Sequence, residues 1–391
     1  MIKRFSSLFA GHVDFDLDDI GQDATPVNER RLSDERLAGV FGKSEALAKC
    51  MDELGYSTLW FAEHHFQREG NEVIPNILML GLHLSHITKN LRYGCGFNIT
   101  PMWHPLRLAE DFAMVDHLTD GRVIFGVGRG YHTREVETFG GPMLDKEANR
   151  EIFEEQVDII FKAFHQPEFS HKGKYYTLPP EVPYRSYDLK ELTITPRPKH
   201  LPVECWQPVV SATERGLDFM MKHRIKGVIG GGSALLLNSS ITKFHEAHER
   251  AGLESQLGTD LALGISFHIA DTKEQAIKEA RPYYEEHAKM FGPLGFLGKL
   301  KPEQIEAIGR RGGIADSGIP TLEDACENGA WYCGPPEGFV DFLSELNSRY
   351  PGLEDVNAQS AMGTPEKVMI EQLEWFGKEV MPKMRMAEAA D

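Results

Sequence analysis

The sequence has few of the features that mark secreted, membrane or nucleic-acid-binding proteins. Only five of its 391 residues are cysteines, and none forms a Cys-x-x-Cys pair, which is typical of a chain in the reducing cytoplasm. No apolar run approaches the roughly 20 residues that a membrane helix needs, and the apolar part of the N-terminus is too short for a signal peptide. The net charge of −17 argues against nucleic acids and anionic membranes as partners.

Several catalytic motifs are also missing. The chain has no HExxH metalloprotease motif, no GxSxG nucleophile elbow and no Walker phosphate loop. Gly126 and Gly128 resemble the start of a dinucleotide fingerprint, but Tyr131 stands where its third glycine belongs. His83 and His86 have a spacing that a metal ion could use on a helix, yet no cysteine or carboxylate cluster accompanies them. We therefore predict no metal site.

What the chain does have is a regular alternation of strand and helix patterns. Apolar residues make up 41 % and charged residues 26 %, which is typical of a globular protein. Strands are predicted at residues 2–9, 57–62, 91–99, 123–127, 203–210, 226–229, 260–269 and 353–361. Helices are predicted at residues 34–55, 75–89, 105–118, 147–165, 212–224, 235–251, 273–290, 336–349 and 365–381, with Asp34 as the cap of the first.

This alternation predicts an α/β protein with a (β/α)₈ TIM-barrel fold. The length fits either one barrel with insertions or two ordinary domains, and the uniform composition favours a single domain over residues 1–391. Three stretches interrupt the alternation and are predicted to be insertions, at about residues 11–33, 166–202 and 292–330. We expect the insertions to form a lid and a pocket wall over one end of the barrel.

The stretch Gly94–Gly130 is the centre of the predicted site. It reads as a strand that breaks at a Thr-Pro pair, a helix that begins near Pro105, and a buried strand at 123–127. The second strand ends in glycines and Arg129. A guanidinium fixed beside glycines, close to a helix N-terminus, is well suited to a phosphate monoester. The stretch therefore predicts half of a binding site for a phosphate-bearing cofactor.

Active sites of such barrels form at the carboxyl ends of the strands. Polar or small residues end five of the predicted strands: Glu63-His64-His65, Gly96-Phe97-Asn98, Gly128-Arg129-Gly130, Ser211-Ala212-Thr213 and Gly230-Gly231-Gly232. An imidazole, an amide, a guanidinium and hydroxyl groups that converge on one barrel end predict a polar cofactor site.

Each of these residues alone also fits a structural role. Adjacent histidines on a strand point to opposite faces, so only one of His64 and His65 can face the barrel mouth. Arg129 could form a structural ion pair. Ser211 and Thr213 could simply cap the next helix. The argument for a site therefore depends on their convergence.

The chain resembles the bacterial luciferase-like flavin-dependent monooxygenases. The matching segments are GYSTLWFAEHHF at residues 55–66, the whole stretch 94–130, ETFG at 137–140 and the tail at 362–384. These segments follow one another at the family's spacing over most of the chain, and the three predicted insertions are not covered. The family is a (β/α)₈ barrel, which agrees with the fold that the alternation predicts.

The resemblance implies a cofactor, partners and residue roles. The cofactor is reduced FMN, supplied by a separate flavin reductase, and it reacts with O₂ at C4a to form a peroxide that oxygenates a small organic substrate. His64 matches the histidine needed for catalysis, and Gly96–Phe97 falls where the family has a non-prolyl cis peptide bond against the flavin ring. Arg129 matches the arginine that binds the flavin phosphate. The remaining cofactor-binding residues implied are Glu63, Asn98, Tyr131, Ser211, Ala212 and Thr213.

The sequence therefore predicts a cytoplasmic, homo-oligomeric, two-component FMN-dependent monooxygenase. Hydroxylation, Baeyer–Villiger insertion and desulfonation all remain open, as does the substrate, and light emission is not implied. Three alternatives are a deazaflavin-dependent hydride-transfer enzyme, a flavin-binding relative without turnover, and a barrel lyase or isomerase that binds a sugar phosphate.

Overall fold

Eight parallel strands close into a barrel in the computed structural model, which describes residues 2–16, 19–297 and 300–390, the last four without their side chains. Residues 17–18 and 298–299, which belong to the first and third predicted insertions, lie outside the described part. In chain order the strands are β1 (Arg4–Phe9), β2 (Thr58–Phe61), β3 (Arg92–Cys95), β4 (Asn98–Ile99), β5 (Val123–Gly128), β6 (His171–Lys172), β7 (Thr177–Leu178), β8 (Pro183–Tyr184), β9 (Tyr187–Asp188), β10 (Cys205–Pro208), β11 (Lys226–Ile229), β12 (Leu261–Ile269), β13 (Trp331–Gly334) and β14 (Asp355–Gln359).

The barrel strands follow one another in the order β10, β11, β12, β14, β1, β2, β3 and β5, and β5 pairs again with β10. The closing pair places Cys205 beside Phe125, and β1 joins the two ends of the chain by pairing with both β14 and β2. All of these pairs are parallel, and helices connect the strands. The predicted (β/α)₈ TIM barrel is therefore confirmed.

The nine predicted helices lie where the apolar periodicity places them, with shifts at their ends. The helices are α1 (Asp34–Leu54), α2 (Ile77–Ile87), α3 (Pro105–Thr119), α4 (Thr133–Thr138), α5 (Lys146–His165), α6 (Glu214–His223), α7 (Ala234–Arg250), α8 (Lys273–Phe291), α9 (Pro302–Ile308), α10 (Leu322–Glu327), α11 (Pro336–Arg349), α12 (Glu366–Trp375) and α13 (Met381–Ala390). Of these, α4, α9, α10 and α13 were not predicted. The N-cap of α1 is Ser33, whose side chain accepts a hydrogen bond from Arg36 N, so the predicted cap at Asp34 is wrong by one residue. No helix in the described residues is long and apolar enough to cross a membrane.

The predicted insertions contain short regular elements that the sequence patterns do not show. The second holds two antiparallel hairpins, β6–β7 and β8–β9. The third holds α9 and α10, and directly after it β13 extends the sheet by pairing with the far end of β12. The first is tied to α8, because Arg30 Nη2 donates a 2.7 Å hydrogen bond to the buried Glu286 Oε1. The first and third touch, since Gly312 N donates to Gln22 O.

A small apolar cluster fills the inside of the barrel and supports its carboxyl end. It consists of Trp60, Ile124, Trp206 and Ala262, and Phe97 packs against it. The rings of Trp60 and Trp206 meet edge to face with centroids 5.5 Å apart. Because these large side chains fill the interior, the barrel is a packed core and the site must lie above it, at the strand ends.

Candidate active site

His64 lies in the loop that follows β2, and it is buried with both ring nitrogens engaged. Its Nδ1 is 3.2 Å from Glu135 Oε2, a carboxylate of α4. Its Nε2 is 3.0 Å from the Tyr131 hydroxyl and 3.3 Å from Glu72 Oε1. The loops after β2 and β5 therefore meet at this imidazole, as expected for strands that are neighbours of β3 in the barrel.

Five side chains surround His64 and form what we call the histidine cage. Its members are His64, Gln67, Glu72, Tyr131, His132 and Glu135. The Gln67 amide links the two carboxylates, because it donates 3.0 Å hydrogen bonds to Glu72 Oε2 and to Glu135 Oε1. Burial of two carboxylates is costly unless they are hydrogen-bonded and paired, and the cage supplies both kinds of partner.

The electrostatics of the cage favour a charged His64. Burial alone would lower the pKa of His64, but the carboxylates of Glu72 and Glu135 outweigh burial and raise it above 6.5. Burial would likewise raise the pKa of Glu72, yet His64, His132 and the Tyr131 hydroxyl lower it to about 2. The pKa of Glu135 is also lowered, against its burial, by His64. The cage thus places ionised carboxylates around an imidazole, and these carboxylates favour its protonated form.

Glu63 turns away from the cage and fixes the segment after β3. Its Oε2 accepts a 2.8 Å hydrogen bond from Ile99 N, and its Oε1 accepts one of 2.8 Å from Trp103 Nε1. His65 also points to this side, with Nε2 3.3 Å from Glu63 Oε1. As the sequence predicts, only one of the two adjacent histidines faces the cage.

The segment that Glu63 anchors carries three of the predicted cofactor-binding residues. The Gly96–Phe97 peptide bond is cis, as the resemblance implies. Asn98 joins this segment to β5 by donating a 2.8 Å hydrogen bond to Gly126 O. A Cβ on Gly126 would lie 1.9 Å from Cys95 O and 3.0 Å from the Phe97 ring, so only glycine permits this close approach.

Arg129 directly follows β5, and its guanidinium forms no ion pair with any residue that the structure describes. Burial, and after it the positive charge of Arg150, lowers the pKa of Arg129. Arg150 lies beside the start of α6, since a Cβ on Gly216 would be 3.5 Å from Arg150 Nη1 and 3.1 Å from Thr213 Oγ1. Two neighbouring guanidinium groups, one of them without an ion-pair partner among the described residues, form a candidate anion-binding position, although the charges of Glu154 and Glu147 also act on Arg129.

The N-terminus of α6 is open toward this position. Thr213 occupies the N-cap, but its side chain makes no capping hydrogen bond. Ser211 and Thr213 are exposed, and Ala212 between them adopts a φ of 43°, which turns the chain into the helix. Free hydroxyl and backbone N–H groups at a helix N-terminus are donors that a phosphate group requires.

The structure brings most of the predicted residues to one barrel end but divides them into three groups. His64 and Tyr131 belong to the cage, whereas Glu63, Gly96, Phe97 and Asn98 form the adjoining segment. Arg129, Ser211, Ala212 and Thr213 belong to the anion-binding position. That these residues bind a cofactor stays a prediction.

Sequence reasoning missed the other residues of the site. These are Gln67, Glu72, His132 and Glu135 in the cage and Arg150 beside Arg129. They come from loops and the first turns of helices, where no periodicity shows which side chains converge. Ligand atoms of His64, Glu72 and His132 lie within 4.8 Å of one another, but hydrogen bonds account for this spacing, and the absence of a metal site also stays a prediction.

The third predicted insertion reaches the cage. Phe296 packs edge to face against Tyr131 with ring centroids 5.0 Å apart, and Phe291 contacts Phe296 in turn. Phe291 also packs on His287, whose pKa burial lowers to about 4. An aromatic wall of packed rings therefore extends outward from the cage, and its role as a pocket wall stays a prediction.

The candidate site lies at the carboxyl ends of the barrel strands, where barrel enzymes have their active sites. The chain belongs to the luciferase-like monooxygenase family, because the family model of that description matches residues 25–350. The match confirms the family that the sequence resembles, and membership of this family supports an oxidoreductase.

Curated relatives match over shorter stretches. The uncharacterized protein y4vJ of Sinorhizobium fredii is 35 % identical over 143 residues, which cover 37 % of this chain and 39 % of that protein. The oxygenase component of the flavin-dependent trigonelline monooxygenase of Acinetobacter baylyi is 28 % identical over 154 residues, 39 % of this chain and 42 % of the relative. The matches thus span less than half the length of these relatives.

Solved structures match over nearly the whole chain. The oxygenating constituent of 3,6-diketocamphane monooxygenase from Pseudomonas putida, in complex with FMN, aligns with a TM-score of 0.69 at 20 % identity, covering 98 % of this chain and 99 % of that one. An F420-dependent secondary alcohol dehydrogenase aligns with a TM-score of 0.66 at 14 % identity, covering 98 % and 100 %. At these identities the likeness concerns the fold alone.

Proposed function

We propose that the chain is the cytoplasmic oxygenase component of a two-component FMN-dependent monooxygenase, with a separate flavin reductase as its partner and a small organic molecule as substrate. The observation that carries the proposal is the Arg129 guanidinium, which has no ion-pair partner in the described part of the chain and lies beside Arg150 near the N-terminus of α6. This donor set fits a phosphate monoester, and it lies at the same barrel end as His64.

Different residues of the chain would perform the separate tasks of such an enzyme. Arg129 and the first turn of α6 bind the phosphate, while Phe97 and the apolar cluster beneath it support a flat ring. The aromatic wall at Phe291 and Phe296 excludes water from the pocket. Reduced FMN, when bound, supplies the activation of O₂. His64 holds a proton at Nε2 for the oxygen chemistry.

The relatives support an oxygenase more than other flavin activities. The trigonelline enzyme is named as the oxygenase component of a flavin-dependent monooxygenase, and the diketocamphane enzyme holds FMN on the same fold. The F420-dependent dehydrogenase supports the second candidate, hydride transfer with a deazaflavin. The presence of both His64 and Arg129 at one barrel end argues against a flavin-binding protein without turnover.

Anaerobic fluorescence titration tests the cofactor. We expect reduced FMN to bind in the micromolar range or tighter and riboflavin, which lacks the phosphate, to bind at least about 10-fold more weakly. Arg129→Gln should weaken FMN about 10- to 100-fold, because a charge-assisted hydrogen bond contributes roughly 1.5–3 kcal/mol, and should leave riboflavin unchanged.

Arg134→Gln is the matched control, since Arg134 lies five residues further along the chain, in α4, and pairs with Glu69 at 2.8 Å. Its affinity for FMN should equal that of the wild type. Equal loss of FMN and riboflavin binding in Arg129→Gln would show that Arg129 is structural. Tighter binding of F420 than of FMN, without oxygen uptake when a flavin reductase is present, would replace the proposal with the hydride-transfer candidate.

A further inference from the structure

The hydrogen bonds of Tyr131 determine whether His64 Nε2 carries a proton. The Tyr131 hydroxyl has a single proton, and it donates this proton to Glu72 Oε1 over 2.7 Å. Toward His64 Nε2, at 3.0 Å, the same oxygen can therefore only accept. The nearest other group, Glu72 Oε1 at 3.3 Å, is also an acceptor. His64 Nε2 must carry a proton.

The same reasoning applies to the other ring nitrogen. His64 Nδ1 faces Glu135 Oε2 at 3.2 Å. The second oxygen of Glu135 accepts from His65 N and from the Gln67 amide, each at 3.0 Å, as expected of an ionised carboxylate. Nδ1 must then donate as well. An imidazole that donates from both nitrogens is an imidazolium.

Glu72 stabilises the imidazolium form of His64 because of its own hydrogen-bond donors. Besides the Tyr131 proton, it accepts from His132 Nε2 and from Gln67 Nε2, both at 3.0 Å. All of its partners are donors, so the carboxylate stays ionised and the Tyr131 proton stays directed at it. Without that carboxylate, the hydroxyl could turn and donate to His64 instead, which would favour the neutral ring.

The carboxylates around His64 also favour its protonated form. The loop after β2 contributes Glu63 and Glu72, and α4 contributes Glu135. From α8, His287 faces Glu72, and burial lowers the pKa of His287 to about 4. The His132 ring packs edge to face against the His64 ring with centroids 5.2 Å apart. Arg134 forms its ion pair with Glu69. No lysine or arginine of the described residues forms an ion pair with either cage carboxylate.

We propose that Glu72 is a positioning residue which, through Tyr131, keeps His64 as an imidazolium with its Nε2 proton held ready for transfer. Glu135 alone could orient a neutral imidazole. Because of Glu72, His64 Nε2 already carries a transferable proton before the oxygen chemistry begins. The use of that proton rests on the proposed function, but the protonation state itself can be measured without any flavin.

Nitrogen-15 NMR of histidine-labelled protein, with the His64 signals identified by their loss in His64→Gln, measures the proposal. In the wild type we expect both His64 nitrogens to be protonated at pH 7, with a titration midpoint above the ordinary value for histidine. Glu72→Gln should lower the proton affinity of His64 at least 10-fold. Glu69→Gln, the matched control in the same loop, should change it less than twofold.

Tyr131→Phe keeps the ring contacts and serves where Glu72→Gln fails to fold; it should lower the same affinity. A singly protonated His64 at pH 7 in the wild type, or equal shifts in Glu72→Gln and Glu69→Gln, would overturn the proposal. So would stoichiometric binding of Zn²⁺ that displaces the His64 and His132 signals together. If FMN fails to bind but His64 is doubly protonated, the proposed function falls and this inference stands.

Discussion

His64 depends on two loops that are distant in sequence. Glu135 and Tyr131 come from the loop and helix after β5, whereas Glu72 follows β2. A side chain held at both nitrogens has one orientation, and a fixed orientation is what proton transfer requires. The chemistry of this residue therefore follows from its neighbours more than from its own type.

Replacing His64 tests its role at the residue scale. We expect His64→Ala to reduce oxygenase turnover by about 10²–10⁴-fold, the usual contribution of a general acid or base. The dissociation constant for reduced FMN should change less than about threefold, because the phosphate contacts lie elsewhere. Stopped-flow kinetics and equilibrium titration measure the two quantities separately.

His65→Ala is the control, since His65 faces Glu63 and the Phe139 ring, not the cage. It should retain turnover within about 10-fold of the wild type. Normal turnover in His64→Ala, or an equal loss in both variants, would remove His64 from the proposed mechanism.

At the scale of elements, β5 carries the closest packing of the site. Cys95 O and the Phe97 ring both approach Gly126 Cα on its open side. Gly128, two residues on, has the Phe97 side chain 3.2 Å from where its Cβ would be. The glycines of β5 therefore allow the segment after β3 to fold onto the strand.

Gly126→Ala should destabilise the protein by about 1–3 kcal/mol or more, because the added methyl group overpacks against backbone. Gly42→Ala is the matched control: Gly42 lies on the exposed face of α1, and a Cβ there meets nothing within 4 Å. This control should be stabilising by about 0.5–1 kcal/mol, since alanine is the better helix former. Urea unfolding compares the two, and equal stability would contradict the packing argument.

The elements that the sequence predicts best are those with a strong period or an unbroken apolar run. All eight barrel strands were predictable, because each is a short buried run between helices. β13 was not, since its four residues follow a turn and resemble the rest of the third insertion. α4 is six residues long, too short for a period to show. Arg129 was predictable from its place at a strand end, but Glu72 and Glu135 were not, because loop geometry decides where they meet.

For the whole molecule, a half-buried network of ion pairs makes the free energy of unfolding depend on pH. Glu204, just before β10, bonds to Arg92 of β3 at 2.7 Å and approaches Lys226 of β11 at 3.4 Å. Burial would raise the pKa of Glu204, but Arg92 and Lys226 outweigh it and lower the pKa to about 2. A carboxylate with a lowered pKa in the folded state stabilises above its ordinary value near 4.5, and this stability is lost as pH falls toward 2.

Glu204→Gln should therefore lower the free energy of unfolding at pH 7 by about 1–3 kcal/mol. The difference from the wild type should shrink as the pH is lowered from 5 to 2.5, because the wild-type carboxylate becomes protonated. Glu110→Gln, which removes a surface pair with Arg107, should have little effect at either pH. Urea midpoints across this range measure the effect, and a difference that is constant with pH would contradict it.

The pairing of β1 with β14 has a consequence for synthesis. Arg4 pairs with Asp355, so one edge of the first strand has its partner at the far end of the barrel sequence. As the nascent chain leaves the ribosome, that edge stays open until β14 has been translated. An open edge recruits other strands. We therefore expect newly made chains to need chaperone protection, and translation that stops before β14 to yield aggregates.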